Sequence, residues 1–156
     1  MRKNSNNNET ITKGNMPLCK GLNQSAQKIF QNNKAKGFWD NEKNIGELLM
    51  LVTSELGEAM EAHRKGRFAE VKKFDEALIK SKITNEDPRY SGNISSEIAY
   101  ANHFKTWIKD TFEDEIADAV IRLLDLSAGL GIDLEKHINM KVRYNESRPK
   151  LHGKLY

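Results

Sequence analysis

The amino-acid sequence predicts an all-α protein with a single domain. Apolar residues recur three and four positions apart in six successive stretches, which is the spacing of one face of an α-helix. Glycines and capping residues stand between these stretches, where helices end and begin. The chain has 156 residues, which is enough for one domain with a core of its own.

Three helices are predicted in the first half of the chain, over 22–36, 44–64 and roughly 67–80. Each shows an apolar face at helical spacing. Gly37 follows the first helix and Gly66 the second, and glycine is the residue most often found just beyond a helix C-terminus.

Three more helices are predicted over 94–108, 111–130 and 134–147. Gly131 supplies a stop after the fifth of the six helices, and Asp133 is a suitable N-cap for the last.

The chain divides into a tail and a domain. Residues 1–16 are polar and rich in asparagine, so we expect a disordered or lightly docked tail. Residues 17–156 form the predicted domain, with a helical insert over roughly 66–110 between its two most acidic helices.

Composition argues against several classes of protein. The 25 basic and 22 acidic residues are interleaved and leave a net charge of +3, which does not favour a nucleic-acid-binding surface. We find no apolar run near the ~20 residues that span a bilayer and no signal-peptide h-region, so no membrane partner is predicted. The single cysteine, Cys19, fits a reducing compartment, and we predict a cytoplasmic protein.

Two predicted helices each carry a pair of carboxylates. Glu55 and Glu58 lie in the second helix, and Glu115 and Asp118 lie in the fifth. Residues three apart are separated by about 60° around a helix, so each pair can point at one place. Both pairs fall at the margin of an apolar stripe, where carboxylates are costly to bury unless they are paired or bind a cation.

No basic residue stands at a matching position beside these pairs. We therefore interpret the four carboxylates, Glu55, Glu58, Glu115 and Asp118, as ligands for a divalent cation. Ligands with only oxygen donors favour Mg²⁺, with Mn²⁺ as a second possibility. The alternative is that the acids lie on solvated helix faces, because glutamate is a good helix former and runs of charge usually face water.

Two other features suggest contacts to a ligand. Phe38 and Trp39 follow the first helix; they can anchor the core, or Trp39 can stack on a flat ligand such as a base. The last helix carries Lys141, Asn145 and Arg148 on the same face as its apolar residues. These groups can reach water past the edge of the core, or they can bind phosphates that a cation holds on the other side.

The motifs together resemble the MazG-like, all-α nucleoside triphosphate pyrophosphatases. They are ELGE at Glu55–Glu58, EIAD at Glu115–Asp118, and the segment GIDLEKHINMKVRYNESRP over 131–149. The resemblance covers roughly residues 22–154 apart from the insert. The insert is a departure, because the acidic pairs of that family are usually linked by a much shorter segment, and base specificity is therefore not carried over.

The resemblance implies a helical bundle that assembles as a homodimer or homotetramer. It implies hydrolysis of a ribo- or deoxyribonucleoside triphosphate to the monophosphate and pyrophosphate with Mg²⁺. Glu55, Glu58, Glu115 and Asp118 would be the metal ligands, and Lys141, Asn145 and Arg148 would hold phosphate or sugar.

In the predicted reaction a water attacks the α-phosphorus, and Glu55 or Glu58 accepts its proton. Two other classes of protein are alternatives. A di-iron carboxylate bundle uses a Glu-x-x-His pair, and the chain has no ExxH sequence. A non-enzymatic helical interaction module with solvent-facing acids stays open as the alternative.

Overall fold

The computed structural model describes residues 21–86 and 96–149. The predicted tail over 1–16 lies outside them, as do the last seven residues. Within the described ranges the chain contains helices and no strand, so the prediction of an all-α protein is confirmed there. The helices are α1 (Leu22–Ala35), α2 (Ile45–Arg64), α3 (Val71–Glu86), α4 (Ser96–Trp107), α5 (Phe112–Gly129) and α6 (Leu134–Glu146).

Helix α5 is the centre of the arrangement, because both α1 and α2 pack against it. The buried apolar side chains of the described residues are mostly small: Ala26, Val52, Ala59, Ala62, Ala99, Ala119, Leu124 and Leu126. Alanines let two helix backbones approach closely. Few large apolar side chains are therefore needed to close the α2–α5 interface.

Capping explains where several helices begin. The Asn44 side chain accepts hydrogen bonds from the backbone N–H groups of Gly46 and Glu47 at the start of α2. Asp133 accepts one from Lys136 N–H (3.0 Å) at the start of α6, as predicted. Thr111 behaves differently, because its hydroxyl donates to Ile108 O (2.6 Å) in the turn before α5.

Helix α3 begins at Val71 and ends at Glu86, later at both ends than the predicted 67–80. The residues before it are used in the junction with the turn before α5. Arg67 O accepts a hydrogen bond from Phe112 N–H (3.0 Å), and Glu70 N–H donates to Trp107 O (3.0 Å). These long-range bonds join Arg67 and Glu70 to the ends of α5 and α4, which a pattern of apolar spacing cannot reveal.

The insert is a helical hairpin made of α3 and α4. Aromatic rings hold it together: Phe74 lies edge-on to Tyr100 (5.3 Å between centroids) and to Phe104 (6.4 Å). His103 Nε2 lies 2.8 Å from the Ser81 hydroxyl, which gives this histidine a structural partner in the other helix of the hairpin.

Helix α6 is attached to the start of α1. Asn23 donates to Asp133 Oδ1 (2.7 Å), and the Asn23 side-chain oxygen accepts from Glu135 N–H (3.1 Å). The Glu135 carboxylate accepts in turn from Gly21 N–H (3.1 Å). Hydrogen bonds from Asn23 and Lys136 lower the pKa of Asp133.

Candidate metal centre

Two of the four carboxylates lie deeper than the sequence predicted. Glu55 is 6% exposed and Glu115 is 5% exposed, in line with the buried alanines of the α2–α5 interface. The prediction put both pairs at the margin of an apolar stripe. Several large apolar residues of that stripe are instead exposed, including Leu56 (51%) and Val120 (47%). The small residues beside the acids bring the two helices together, and the acids fill the interface.

Three of the four predicted ligands meet at one point. Glu55, Glu115 and Asp118 each offer an oxygen, and these oxygens lie within 4.8 Å of one another. Glu58, the fourth, is exposed and accepts a hydrogen bond from the Ser54 hydroxyl (3.3 Å). The cluster can hold a cation, because three oxygens from two helices converge on a partly dehydrated position.

Electrostatics within the cluster favour a cation as well. Burial raises the pKa of Glu115, and the charges of Glu58 and Glu55 raise it further. Burial also raises the pKa of Asp118, followed by the charge of Asp114. Bringing these ionised groups together is unfavourable, and a bound cation reverses the sign of the interaction.

One premise of the sequence analysis was wrong, because the cluster does have a basic partner. Arg122 donates from Nε to Glu55 Oε1 (2.6 Å), and its Nη2 lies 2.6 Å from the same oxygen. The i, i+4 spacing of Asp118 and Arg122 could have revealed this partner in the sequence, because it puts both side chains on one face of α5. A single guanidinium does not balance Glu55, Glu58, Glu115 and Asp118 when all four are ionised.

Sequence reasoning also missed Asp114. It lies in the first turn of α5, where acids suit the helix dipole. In the structure its carboxylate accepts from Asp110 N–H (3.0 Å), and its charge raises the pKa of Asp118. Asp114 stands four residues before Asp118 and so shares its helix face.

Trp39 is both an anchor and a cavity wall. Its indole Nε1 donates to the Asp125 carboxylate (3.2 Å), and its ring packs on Phe30 (5.1 Å) and on Gly129. A Cβ at Gly129 would lie only 2.2 Å from the ring. The ring also lines a cavity of about 470 Å³ that reaches Asp118. The two interpretations of Trp39 are therefore compatible.

A second, wider cleft of about 700 Å³ opens beside the cluster. All four predicted ligands line it, together with residues of α4 from the insert. Asp118 and Arg122 line both cavities. Asp118 therefore lies where the pocket walled by Trp39 meets the cleft walled by α4, while Glu55, Glu58 and Glu115 line the cleft alone.

The structure does not bring the three predicted phosphate ligands to this place, namely Lys141 and Asn145 of α6 and Arg148 just after it. Lys141 and Arg148 lie over the ring of Tyr144, at 5.1 and 5.9 Å from its centroid. Neither they nor Asn145 line either of the two cavities at the carboxylates. A role for them at this cluster therefore requires a second copy of the chain or a movement of α6.

Comparison of the chain with family models, with curated proteins and with solved structures gives no match. The resemblance to MazG-like pyrophosphatases therefore depends on the quoted motifs. No described helix combines the length and the apolar character that crossing a bilayer requires.

Proposed function

We propose that this protein is a Mg²⁺-dependent nucleoside triphosphate pyrophosphohydrolase of the MazG-like kind. It would convert a ribo- or deoxyribonucleoside triphosphate and water to the monophosphate and pyrophosphate. The observation that carries the proposal is the convergence of Glu55, Glu115 and Asp118 within 4.8 Å on one wall of the 700 Å³ cleft.

The residues fit a hard divalent cation. All three converging ligands are carboxylates, the donors that Mg²⁺ and Mn²⁺ prefer, and the raised pKa values of Glu115 and Asp118 reflect first their burial and then the negative charges around them. Glu58 is close enough for its charge to act on both groups and would complete the set of four. Such a cation supplies charge that offsets the triphosphate and helps to activate the attacking water.

The chain's own residues would divide the remaining work. Glu55 Oε1 already accepts from Nε of Arg122 at 2.6 Å and lies 2.6 Å from its Nη2, so this oxygen is engaged by the guanidinium. Glu58 is exposed and only weakly bonded to Ser54, which favours it over Glu55 as the group that takes the proton from water. As the proton leaves, the water oxygen bonds to the α-phosphorus. The bond between the α-phosphorus and the oxygen that bridges it to the β-phosphorus then breaks, and pyrophosphate leaves.

The pocket walled by Trp39 suits the base. Trp39 offers an aromatic face, and polar side chains such as Asn33, Glu42 and Lys43 line the same 470 Å³ cavity. A base stacked there would put its triphosphate beside Asp118.

We also propose assembly as a homodimer or homotetramer. Large apolar side chains on α2 and α5 are exposed in the single chain: Leu49 (49%), Leu56 (51%), Met60 (60%), Val120 (47%) and Leu123 (43%). Light scattering that gave the mass of one chain at micromolar concentration would contradict this. An assembly would also offer a way for Lys141, Asn145 and Arg148 of one copy to approach the cluster of another.

The exposed apolar surface equally suits the alternative, a helical interaction module without catalysis. The two are separated by incubating the protein with ribo- and deoxynucleoside triphosphates and Mg²⁺ and measuring pyrophosphate release. We expect release from at least one nucleotide, and losses of about 100-fold or more in Glu58→Ala and Asp118→Asn. Glu61→Gln, at a partly exposed acid on the same helix that does not line the cleft, is the matched control.

Full activity in Glu58→Ala and Asp118→Asn, with folding verified by circular dichroism, would remove the catalytic assignment. An absence of both release and thermal stabilisation by Mg²⁺ plus nucleotide would favour the interaction module.

A further inference from the structure

The helical insert contributes one side of the cleft at the carboxylate cluster. Helix α4 and the turn after it line the 700 Å³ cleft with Tyr100, Phe104, Lys105 and Lys109, opposite the acids of α2 and α5. Tyr100 and Phe104 are four residues apart on α4, Lys105 follows Phe104, and Lys109 lies in the turn after the helix. The insert therefore adds basic and aromatic groups to a site whose other side is acidic.

The base of the insert is fixed to the carboxylate helices by hydrogen bonds. Ala69 N–H donates to the Glu113 carboxylate on α5 (2.9 Å), and Phe112 N–H donates to Arg67 O (3.0 Å). Glu70 N–H donates to Trp107 O (3.0 Å), which joins the two helices of the hairpin at the same level. These bonds fix the position of α4 relative to Glu115 and Asp118.

The turn between α4 and α5 is equally constrained. Asp110 has φ 60°, the left-handed region, and its N–H donates to Asp114 (3.0 Å). Only four residues, 108–111, separate the helices. Because the connection is so short, the position of α5 determines which side of α4 lines the cleft.

The two lysines that line the cleft, Lys105 and Lys109, differ in their partners. Lys109 pairs with Asp110, and this bond together with the neighbouring acids raises the pKa of Lys109. Among the described residues no carboxylate pairs with Lys105, although the cleft that it lines holds six acidic side chains. A polyphosphate bound by a cation at the cluster would present oxygens to the cleft, where an ammonium group is the complementary donor.

We propose that α4 forms the phosphate-binding side of this site and that Lys105 binds the outer phosphates of the substrate. The proposal rests on the proposed function in so far as the ligand is a triphosphate held through a divalent cation. It assigns the phosphate contact to the insert of the same chain, where the sequence had assigned it to α6.

The test measures binding separately from turnover. The probe is inorganic tripolyphosphate with Mg²⁺, titrated by calorimetry into the full chain and into Lys105→Ala, Lys105→Arg and Lys72→Ala. Lys72 is an exposed lysine on α3 that does not line the cleft, so it is the matched control. We expect Lys105→Ala to raise the dissociation constant about tenfold, Lys105→Arg to restore most of the affinity, and Lys72→Ala to bind like the parent.

Kinetics give a second readout. Lys105→Ala should raise KM about tenfold and leave kcat within a few-fold, because the group binds the outer phosphates and does not move the proton. Equal tripolyphosphate affinity in Lys105→Ala and the parent would overturn the proposal, and so would the absence of any Mg²⁺-tripolyphosphate binding by the parent.

The two proposals fail in different ways. If the parent binds Mg²⁺-tripolyphosphate through Lys105 but releases no pyrophosphate from any nucleotide, the hydrolase assignment fails and the role of α4 stands. If the parent hydrolyses nucleotides and Lys105→Ala changes neither affinity nor KM, the role of α4 fails and the hydrolase assignment stands.

Discussion

The two halves of α5 bury different kinds of side chain. The first half faces α2 and buries Glu115 beside Ala119, with Asp118 and Arg122 at the edge of the interface. The second half buries Leu124 and Leu126, and the indole of Trp39 rests on Gly129. One continuous helix therefore carries a charged site at its N-terminal end and an apolar anchor at its C-terminal end.

This difference indicates what each half contributes. Apolar packing around Trp39 stabilises the fold and fixes one wall of the 470 Å³ cavity. The acidic half contains ionised carboxylates. Their burial opposes folding unless a cation or a basic side chain compensates for their charge. We expect substitutions in the two halves of α5 to change the free energy of unfolding with opposite signs.

The largest effect is expected from Glu115→Gln. Loss of a converging carboxylate should lower kcat/KM by about 100-fold or more. In the absence of Mg²⁺ the same change should raise the melting temperature, by about 2–4 °C, because it removes a buried charge that Glu58 and Glu55 repel. Calorimetry and pyrophosphate release, measured on the same preparation, test both halves of the prediction.

A lower melting temperature in Glu115→Gln would contradict the contrast, since it would mean that the ionised carboxylate stabilises the metal-free fold. Glu61→Gln, at a partly exposed position of α2 outside the cleft, should change neither quantity by a measurable amount.

Gly129→Ala tests the apolar half. A Cβ would meet the Trp39 ring at 2.2 Å, so the ring must move. We expect the free energy of unfolding to fall by about 1–3 kcal/mol, the usual cost of overpacking. Displacing the ring should also raise KM while kcat changes little. Urea denaturation and steady-state kinetics measure the two effects, and unchanged values of both would show that the anchor is not rigid.

The dependence of stability on pH should come from the acidic half. The pKa values of Glu115 and Asp118 lie above their ordinary values of 4.5 and 3.8 in the folded chain. As the pH rises above those ordinary values, the unfolded chain loses protons that the folded chain still holds. Stability in the absence of metal should therefore fall through this range, and Mg²⁺ should reverse the trend.

Other acids complicate a single profile, because Asp133 has a lowered pKa and acts in the opposite direction. The informative quantity is the difference between the parent and Glu115→Gln/Asp118→Asn, taken from urea midpoints at pH 4 to 8. A flat difference profile would show that the two groups titrate normally.

Much of the fold was predictable from the sequence because it depends on local signals. Apolar spacing and caps placed α1, α2, α5 and α6 within one or two residues of their observed ends. The same spacing indicated that Glu55 and Glu58, and Glu115 and Asp118, share faces. Three of these four residues do converge in the structure.

What the sequence did not reveal depends on which elements face one another. Helical spacing defines a face, but it does not say that Arg122 of α5 reaches Glu55 of α2. It does not say that α4 turns Lys105 towards the cluster, because that follows from the left-handed Asp110 and from hydrogen bonds between distant backbone groups. The same limit applies to Lys141. Its spacing showed which face of α6 it shares, but not that it lies over the ring of Tyr144.

The smallest effect is expected at Gly57, on α2 between Glu55 and Glu58. A Cβ there would meet nothing within 4 Å in the single chain, in contrast to Gly129. Gly57→Ala should therefore raise the free energy of unfolding by about 0.5–1 kcal/mol, the gain from removing glycine inside a helix. Activity should not change if the space beside Gly57 is open in the working protein. A stabilised but inactive Gly57→Ala would instead indicate that a second copy of the chain or the substrate approaches the α2 backbone at this point. Urea denaturation, light scattering and pyrophosphate release on the same variant separate these outcomes, because a lost oligomer and a blocked site change different measurements.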